Sequence, residues 1–339
     1  MPRLNRNLRN TSEKTHINMA RARFLESQHV ALYTPVMKRC QVTVRVPATS
    51  GNLGPGFDCL GMALDWWNDV HMSISSTPEI NVLGEGADAL STTEHNLVYQ
   101  SAQALFREAG ETPPPLSISC ENRIPLARGL GSSAAAIVGG LLAANALCSH
   151  PLDQQYLLDL AVRLEGHADN VTPALLGGCQ VVVQDDDRVI PDAVPMAPDL
   201  GAIVFVPDLP MPTKKARAVL AEKVTRKDAV YNMGRVALLV NSLSSGRFEN
   251  LRVATQDRLH QPAREKIFPA MKYIFRSARD AGAAGVFLSG GGSSVLALAT
   301  SKFMTIGFEM ADAADKLGLS GSVKVTSPSS LGAYVVSEE

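Results

Sequence analysis

Pro125-Leu126-Ala127-Arg128-Gly129-Leu130-Gly131-Ser132-Ser133-Ala134-Ala135 decides how this chain is read. Gly129 and Gly131 have no side chain to hold a ligand off the backbone, so their N–H groups can point inward. Ser132 and Ser133 open a small-residue helix running to Leu147, adding hydroxyls to its free N–H groups and positive dipole end. Together these describe an anion site best matched to a polyphosphate. A plain helix start after a glycine turn would use the same residue types. The spacing Gly129-x-Gly131-x-x-Ala134 also satisfies a loose dinucleotide fingerprint. That fingerprint should follow an apolar strand at once, whereas Arg123, Pro125 and Arg128 intervene here. A Walker A loop is excluded, because no Gly-Lys-Ser/Thr occurs in the chain.

On either side, strands and helices alternate without a strict βαβ period, which predicts an α+β class. Gln41 to Val46 alternates and is rich in β-branched residues, so it predicts a strand that Pro47 ends. Asp69–Ser75, Leu116–Cys120 and Gln180–Gln184 predict further strands, and Asn96–Ala109 and Gln154–Gly166 predict helices. Pro191, Pro195 and Pro198 suggest a crossing between domains. Beyond it come a strand at Ala202–Val206, helices near 214–222, 231–243, 269–281 and 302–317, a strand–turn–strand through Gly290, and closing strands. The expected division is 1–36, a disordered basic extension; 37–195, a nucleotide-binding domain; and 196–339, a second domain.

Composition narrows the function classes. Of 339 residues, 45% are hydrophobic and 19% charged, as in a globular chain with a substantial core. Charges nearly cancel, 32 Lys+Arg against 33 Asp+Glu, and aromatics are only 5%, so nucleic acid is not an expected partner. The apolar runs fall short of the roughly 18–20 residues a spanning helix needs, so no membrane association is expected. Five scattered cysteines without a CxxC pair exclude a zinc ribbon or disulfide scaffold and fit a reducing, cytoplasmic setting. The first 39 residues carry eight basic and two acidic side chains, which leaves −7 on the rest. That segment has no continuous apolar core, so a tail or an upstream start codon, with Met37 as the working one, is preferred to an Arg-rich transit peptide.

Three more constellations carry chemistry. Leu164-Glu165-Gly166-His167-Ala168-Asp169-Asn170-Val171-Thr172-Pro173 is expected to close a helix. Glu165 can offer a carboxylate to Mg²⁺, which takes hard oxygen ligands and commonly only one or two from protein beside phosphates. His167, Asp169 and Asn170 can hydrogen-bond a polar substrate, although Glu and His at a helix end also serve as plain capping or solvated groups. From Pro47 to Asp58, three glycines and two prolines fix an irregular loop around the amide of Asn52 and the carboxylate of Asp58, an acid suited to an ammonium. A purely structural loop would share that composition. Ser289-Gly-Gly-Gly-Ser-Ser294 brings backbone close to a ligand or to the partner domain.

Taken together, these four stretches resemble the GHMP kinase superfamily, and within it most closely the homoserine kinase family. The resemblance runs from Val42 to the end of the chain. Gly51 and Gly291 stand where Ala is usual, and Ser293-Ser294 where Pro-Thr is usual. The resemblance implies a two-domain fold, a ribosomal protein S5 domain 2-like N-terminal domain followed by a ferredoxin-like one. It further implies ATP-dependent, Mg²⁺-assisted phosphorylation of the L-homoserine hydroxyl to O-phospho-L-homoserine, a step towards threonine. By the same resemblance Asp58 takes the ammonium with Asn52 alongside, and Arg217 and Arg264 take the carboxylate. His167, Asp169 and Asn170 line the substrate, with Asn170 touching its hydroxyl and Thr213 near the transferring phosphate. Ser133 and Glu165 resemble the Mg²⁺ ligands, Asn96 an adenine-side residue, and Pro125 to Ala135 the ATP loop. A homodimer is compatible with the chain but not specified by it. Two readings stay open: a kinase of this superfamily for another small alcohol, and a non-catalytic metabolite sensor on the same fold. A neutral alcohol would need no arginine pair, and a degenerate sensor would be expected to have lost Ser133, Glu165 or the glycines.

Overall fold

The computed structural model describes residues 40–186 and 188–338, so the expected basic extension at 1–36 and the alternative start at Met37 lie outside the described residues. The order of elements is β1 (Gln41–Gly51), β2 (Leu60–Ile74), β3 (Glu79–Gly84), α1 (Leu97–Glu108), β4 (Leu116–Asn122), α2 (Ser132–Leu147), α3 (Gln154–Glu165) and α4 (Ala168–Leu176). Then come β5 (Cys179–Asp185), β6 (Arg188–Val194), β7 (Gly201–Pro207), α5 (Thr213–Ala218), α6 (Arg226–Ser245), α7 (Leu251–Ala254) and α8 (Gln261–Glu265). The chain closes with α9 (Met271–Asp280), β8 (Gly285–Leu288), β9 (Val295–Ala299), α10 (Phe303–Asp315), β10 (Gly321–Thr326) and β11 (Tyr334–Glu338).

Among the described residues two sheets form. Seven strands make the first, with the path β11-β1-β2-β4-β3 and the hairpin β5–β6 attached to β2. Four make the second, β10-β7-β9-β8. The expected α+β class is therefore observed. The chain crosses to the second sheet between β6 and β7 and then returns, because β11 pairs antiparallel with β1. Residues of the last strand thus run with the first sheet, unlike the rest of the segment expected as 196–339.

Strand β7 shows how one core continues into the other. All of Gly201–Pro207 is buried, and its side chains alternate between two clusters as period-two geometry requires. Ala202, Val204 and Val206 join the large core with Val44, Leu64, Leu141 and Leu158. Ile203 and Phe205 join a smaller one with Ile274 of α9 and Ile306 and Met310 of α10. Helix α2 is buried nearly all round, which explains its small residues: a Cβ on Gly140 would lie 2.4 Å from the Val98 carbonyl of α1.

Four local expectations are corrected. Pro47 does not end β1; the strand continues to Gly51, and its register against β2 shifts between Pro47 and Ala48. A residue with no N–H is tolerated at such an irregularity, where ladder bonding is already interrupted. Strand β2 begins nine residues earlier than its alternating half, at Leu60, because its first part is buried as a continuous apolar run. Pro191 lies within β6, which among the described residues pairs with β5 alone and so is an edge strand that can take a proline. Finally, Glu165 to Pro173 is not the close of one helix. Gly166, in the left-handed region, caps α3, and α4 begins at Ala168 with His167 as its N-cap. No helix among the described residues is long and apolar enough to cross a membrane.

Candidate active site

The start of α2, the loop after β1, the α3–α4 junction, α5 and the β8–β9 turn meet around one cleft of about 230 Å³. It adjoins a chamber of about 390 Å³ that shares Ala127, Ser132 and Ser133 with it. Together they fall within the roughly 300–1,000 Å³ usual for small-molecule sites.

Gly131 sits at φ +70 as the N-cap of α2, without a side-chain cap, so the first N–H groups of that helix have no intrahelical acceptor. A Cβ at Gly131 would lie 2.0 Å from Thr49 Oγ1, and one at Gly129 would lie 2.1 Å from the Ser289 carbonyl. Both glycines are thus demanded by close packing as well as by backbone conformation. The loop is clamped from the second sheet: Met211 N donates to Ala127 O at 2.8 Å, Ser294 N to Arg128 O at 2.9 Å, and Ser289 Oγ to Gly129 O at 2.6 Å. The expected ATP loop divides by position. Ala127, Gly129, Gly131, Ser132 and Ser133 line the cleft, and Leu126 lines the adjoining chamber. Leu130, Ala134 and Ala135 are buried in the core. Arg128 donates to the carbonyls of Pro207 and Leu126, so its guanidinium holds backbone. Neither Arg128 nor Pro125 is among the lining residues of the two spaces. Asn96 lines the adjoining chamber and is the N-cap of α1, its Oδ1 accepting from Val98 N at 2.9 Å.

Ser133 Oγ donates to Glu165 Oε2 at 2.6 Å. Burial pushes the Glu165 carboxyl upward, aided by the charge of Asp169 and opposed by the Ser133 hydrogen bond and His167. A carboxylate whose charge is poorly compensated, beside a hydroxyl and an open helix start, is a donor set of hard oxygens that suits Mg²⁺. Among the described residues no group of three His, Cys, Asp or Glu could hold a metal by itself, so such an ion would depend on nucleotide phosphates for its other ligands.

His167 lies between two carboxylates, with Nε2 3.7 Å from Glu165 Oε1 and Nδ1 3.2 Å from Asp169 Oδ1. Burial opposes the imidazolium, but contact with Asp169 and the charges of Asp169 and Glu165 outweigh it and raise the His167 pKa. The Nδ1 contact is misdirected for a formed hydrogen bond, which leaves that atom without a partner. Asp169 and Asn170 occupy the first turn of α4, both buried. Asn170 Oδ1 accepts from Thr49 Oγ1 at 2.9 Å and its Nδ2 donates to Asp169 Oδ1 at 3.2 Å. Gly51 makes room for this pair: a Cβ there would lie 2.1 Å from Asp169 Oδ2.

At the other end of the cleft, Arg217 grips Asp58 bidentately, Nη2 to Oδ1 at 2.6 Å and Nη1 to Oδ2 at 3.0 Å. The two residues expected to take opposite ends of the substrate thus face each other. Thr213 opens α5 four residues before Arg217 and lines the same cleft. Asn52 lines it too, but its amide is committed to protein: Oδ1 accepts from Asp58 N at 3.0 Å and Nδ2 donates to Gly290 O at 2.8 Å. It therefore ties the first loop to the glycine turn. Arg264 is only 2% exposed and donates through Nε to Ala216 O and through Nη1 to Gly290 O. Burial and the neighbouring Arg217 charge lower its pKa to about 10. Sequence reasoning missed His260, which accepts from Arg264, and Thr49, which holds Asn170. Thr49 lies inside the stretch from Pro47 to Asp58 but is not singled out within it, and for His260 the four-residue interval to Arg264 in a proline-containing turn is the hint.

Two family models match the chain: the GHMP kinase N-terminal domain over residues 96–178 and the GHMP kinase C-terminal domain over 239–303. A homoserine kinase of Moorella thermoacetica is 42% identical over 293 residues, covering 86% of this chain and 99% of that protein. One of Desulfitobacterium hafniense is 43% identical over 296 residues, covering 87% and 100%. The crystal structure of homoserine kinase from Cytophaga hutchinsonii superposes with a TM-score of 0.81 at 31% identity, over 90% of this chain and 100% of that one.

Proposed function

The chain belongs to the homoserine kinase family of GHMP kinases, and on that premise we propose that its cleft binds L-homoserine beside ATP and transfers the γ-phosphoryl group to the terminal hydroxyl. The observation that carries this reading is the Asp58–Arg217 pair beside the glycine loop. A carboxylate and a guanidinium facing one another offer partners to both ends of an amino-acid zwitterion, which opens the pair and takes its place. Arg264 adds a second guanidinium for the carboxylate, whose planar geometry suits bidentate recognition.

In this reading the N–H groups at the start of α2 and the Ser132 hydroxyl receive the phosphates, and the adjoining chamber beside Asn96 takes the base. Ser133 and Glu165 would hold Mg²⁺, which when bound neutralises charge on the phosphate oxygens. Thr213 and Asn170 flank the reacting hydroxyl. In phosphoryl transfer the new O–P bond forms as the bond to the leaving ADP oxygen breaks, through a loose transition state in which positioning and charge neutralisation do most of the work. The hydroxyl proton then needs no strong base. Asp169 serves instead to hold Asn170, whose Nδ2 donates to Asp169 Oδ1 at 3.2 Å, and its charge raises the pKa of the neighbouring His167.

A coupled ADP-release assay across L-homoserine, galactose and shikimate tests the reading. Mg²⁺-dependent turnover with L-homoserine, and not with the neutral sugar, is expected. Equal rates on galactose, or none on L-homoserine, would overturn it.

A further inference from the structure

His260 is fully buried, yet both of its ring nitrogens are engaged. Nδ1 lies 2.7 Å from Arg264 Nη1, and Nε2 lies 2.6 Å from the Gly54 carbonyl. A guanidinium N–H can only donate and a carbonyl can only accept, so the ring is held as the neutral tautomer with its proton on Nε2. The segment carrying it is fixed by Asp257, whose Oδ2 accepts from His260 N at 2.9 Å and Gln261 N at 2.7 Å, and whose Oδ1 accepts from Asn232 at 2.7 Å. Gly54 belongs to the loop that ends in Asp58. The Phe57 ring of that loop packs on the His260 ring at 5.4 Å and lies under both Arg217 and Arg264. Arg264 Nε and Nη1 both donate to protein acceptors, and among the described residues Nη2 makes no hydrogen bond, on a side chain that lines the cleft.

We propose that His260 is a positioning residue for substrate recognition: by accepting from Nη1 through its Nδ1 lone pair it sets the Arg264 guanidinium for the carboxylate of the amino-acid substrate, while the Nε2–H contact with Gly54 only fixes which tautomer the ring adopts. The proposal rests on the homoserine kinase reading. It differs from a packing role because it depends on one lone pair, that of Nδ1, and because it acts on the amino-acid substrate and not on ATP.

The test measures KM for L-homoserine and for ATP separately in wild type, His260→Asn and His260→Gln. The Asn amide oxygen sits where Nδ1 sits and keeps an acceptor for Arg264. The Gln amide reaches the Nε2 position, keeps a donor for Gly54 and leaves Arg264 Nη1 without that acceptor. Losing a hydrogen bond to a charged group predicts a rise of about tenfold in KM for L-homoserine in His260→Gln, with KM for ATP unchanged. His260→Asn is expected to stay within about threefold of wild type on both substrates. Equal behaviour of the two variants, a loss shared by ATP and L-homoserine, or failure of both variants to give a folded, ATP-binding protein would overturn the proposal. A wild-type enzyme that binds ATP but phosphorylates no L-homoserine sinks the functional reading itself, before any variant is compared.

Discussion

Replacing Asp58 by Asn removes the charge expected to hold the substrate ammonium while preserving shape. Asp58 sits at φ +57, a left-handed conformation that asparagine tolerates well, so the loop has no reason to change. The Asp58 and Arg217 side chains are 36% and 37% exposed, so water screens their attraction to about 0–1 kcal/mol and the fold loses little. With substrate bound, the ammonium–carboxylate contact is shielded, and removing one partner of such a pair costs about 2–5 kcal/mol. Partial exposure argues for the lower half of that range, and the variant no longer has to open the Asp58–Arg217 pair, which offsets part of the loss. About 2–3 kcal/mol remains, roughly 30- to 160-fold in kcat/KM for L-homoserine. Steady-state kinetics on the amino acid, with calorimetric titration of ATP, checks this. The expected outcome is a loss confined to L-homoserine with the ATP Kd and Tm unchanged. Wild-type kcat/KM for L-homoserine, or ATP affinity falling in step, refutes the assignment of Asp58 to the substrate.

Glu165→Gln should lower turnover by about a hundredfold or more and move the Mg²⁺ titration midpoint upward with the fold intact; near-normal Mg²⁺-dependent turnover would show that the carboxylate holds no metal. Gly131→Ala forces a Cβ into the left-handed region, about 1–2 kcal/mol, and against Thr49 Oγ1, about 1–3 kcal/mol more, so urea unfolding should show a clear loss together with weakened ATP binding. Asp69 is buried, which works to raise its pKa, but hydrogen bonds from Arg45 and Arg123 outweigh this and hold it below the ordinary aspartate value. A depressed folded pKa contributes stability above the unfolded pKa, near 4, that is lost as pH falls through the folded one. The difference in unfolding free energy between wild type and Asp69→Asn should therefore be large at pH 7 and shrink below about pH 4; a gap independent of pH would point to packing instead.

The start of α2 was legible because two local signals agreed there: glycines before a pair of serines, then a long run of small residues that only a helix packed on both sides would need. β7 was legible as a short apolar run after a proline-rich crossing. The first half of β2 was not, because a continuous apolar run carries no period to tell a buried strand from other buried chain. α4 was hidden for a different reason: residues 168–175 are buried throughout although they include Asp169, Asn170 and Thr172, and with Pro173 inside it the sequence shows no apolar face of helical period. Pro47 misled because proline usually ends a strand, and the irregularity that accommodates it depends on the register with β2. In the site, each motif could be read singly, but its contacts could not. Asp58 and Arg217 are 159 residues apart in sequence, and nothing local to either announces that they meet. Likewise, the commitment of the Asn52 amide to Gly290, 238 residues away, follows from the fold and not from the loop that carries it.

The central claim, phosphoryl transfer from ATP to the terminal hydroxyl of L-homoserine, is tested most directly by ³¹P NMR of one reaction containing the enzyme, Mg²⁺, ATP and L-homoserine. The account predicts that a phosphomonoester resonance coupled to the γ-methylene protons grows in step with ADP, with no matching inorganic phosphate. ADP accompanied by inorganic phosphate alone, or a phosphoryl group on the carboxylate in place of the hydroxyl, would contradict it.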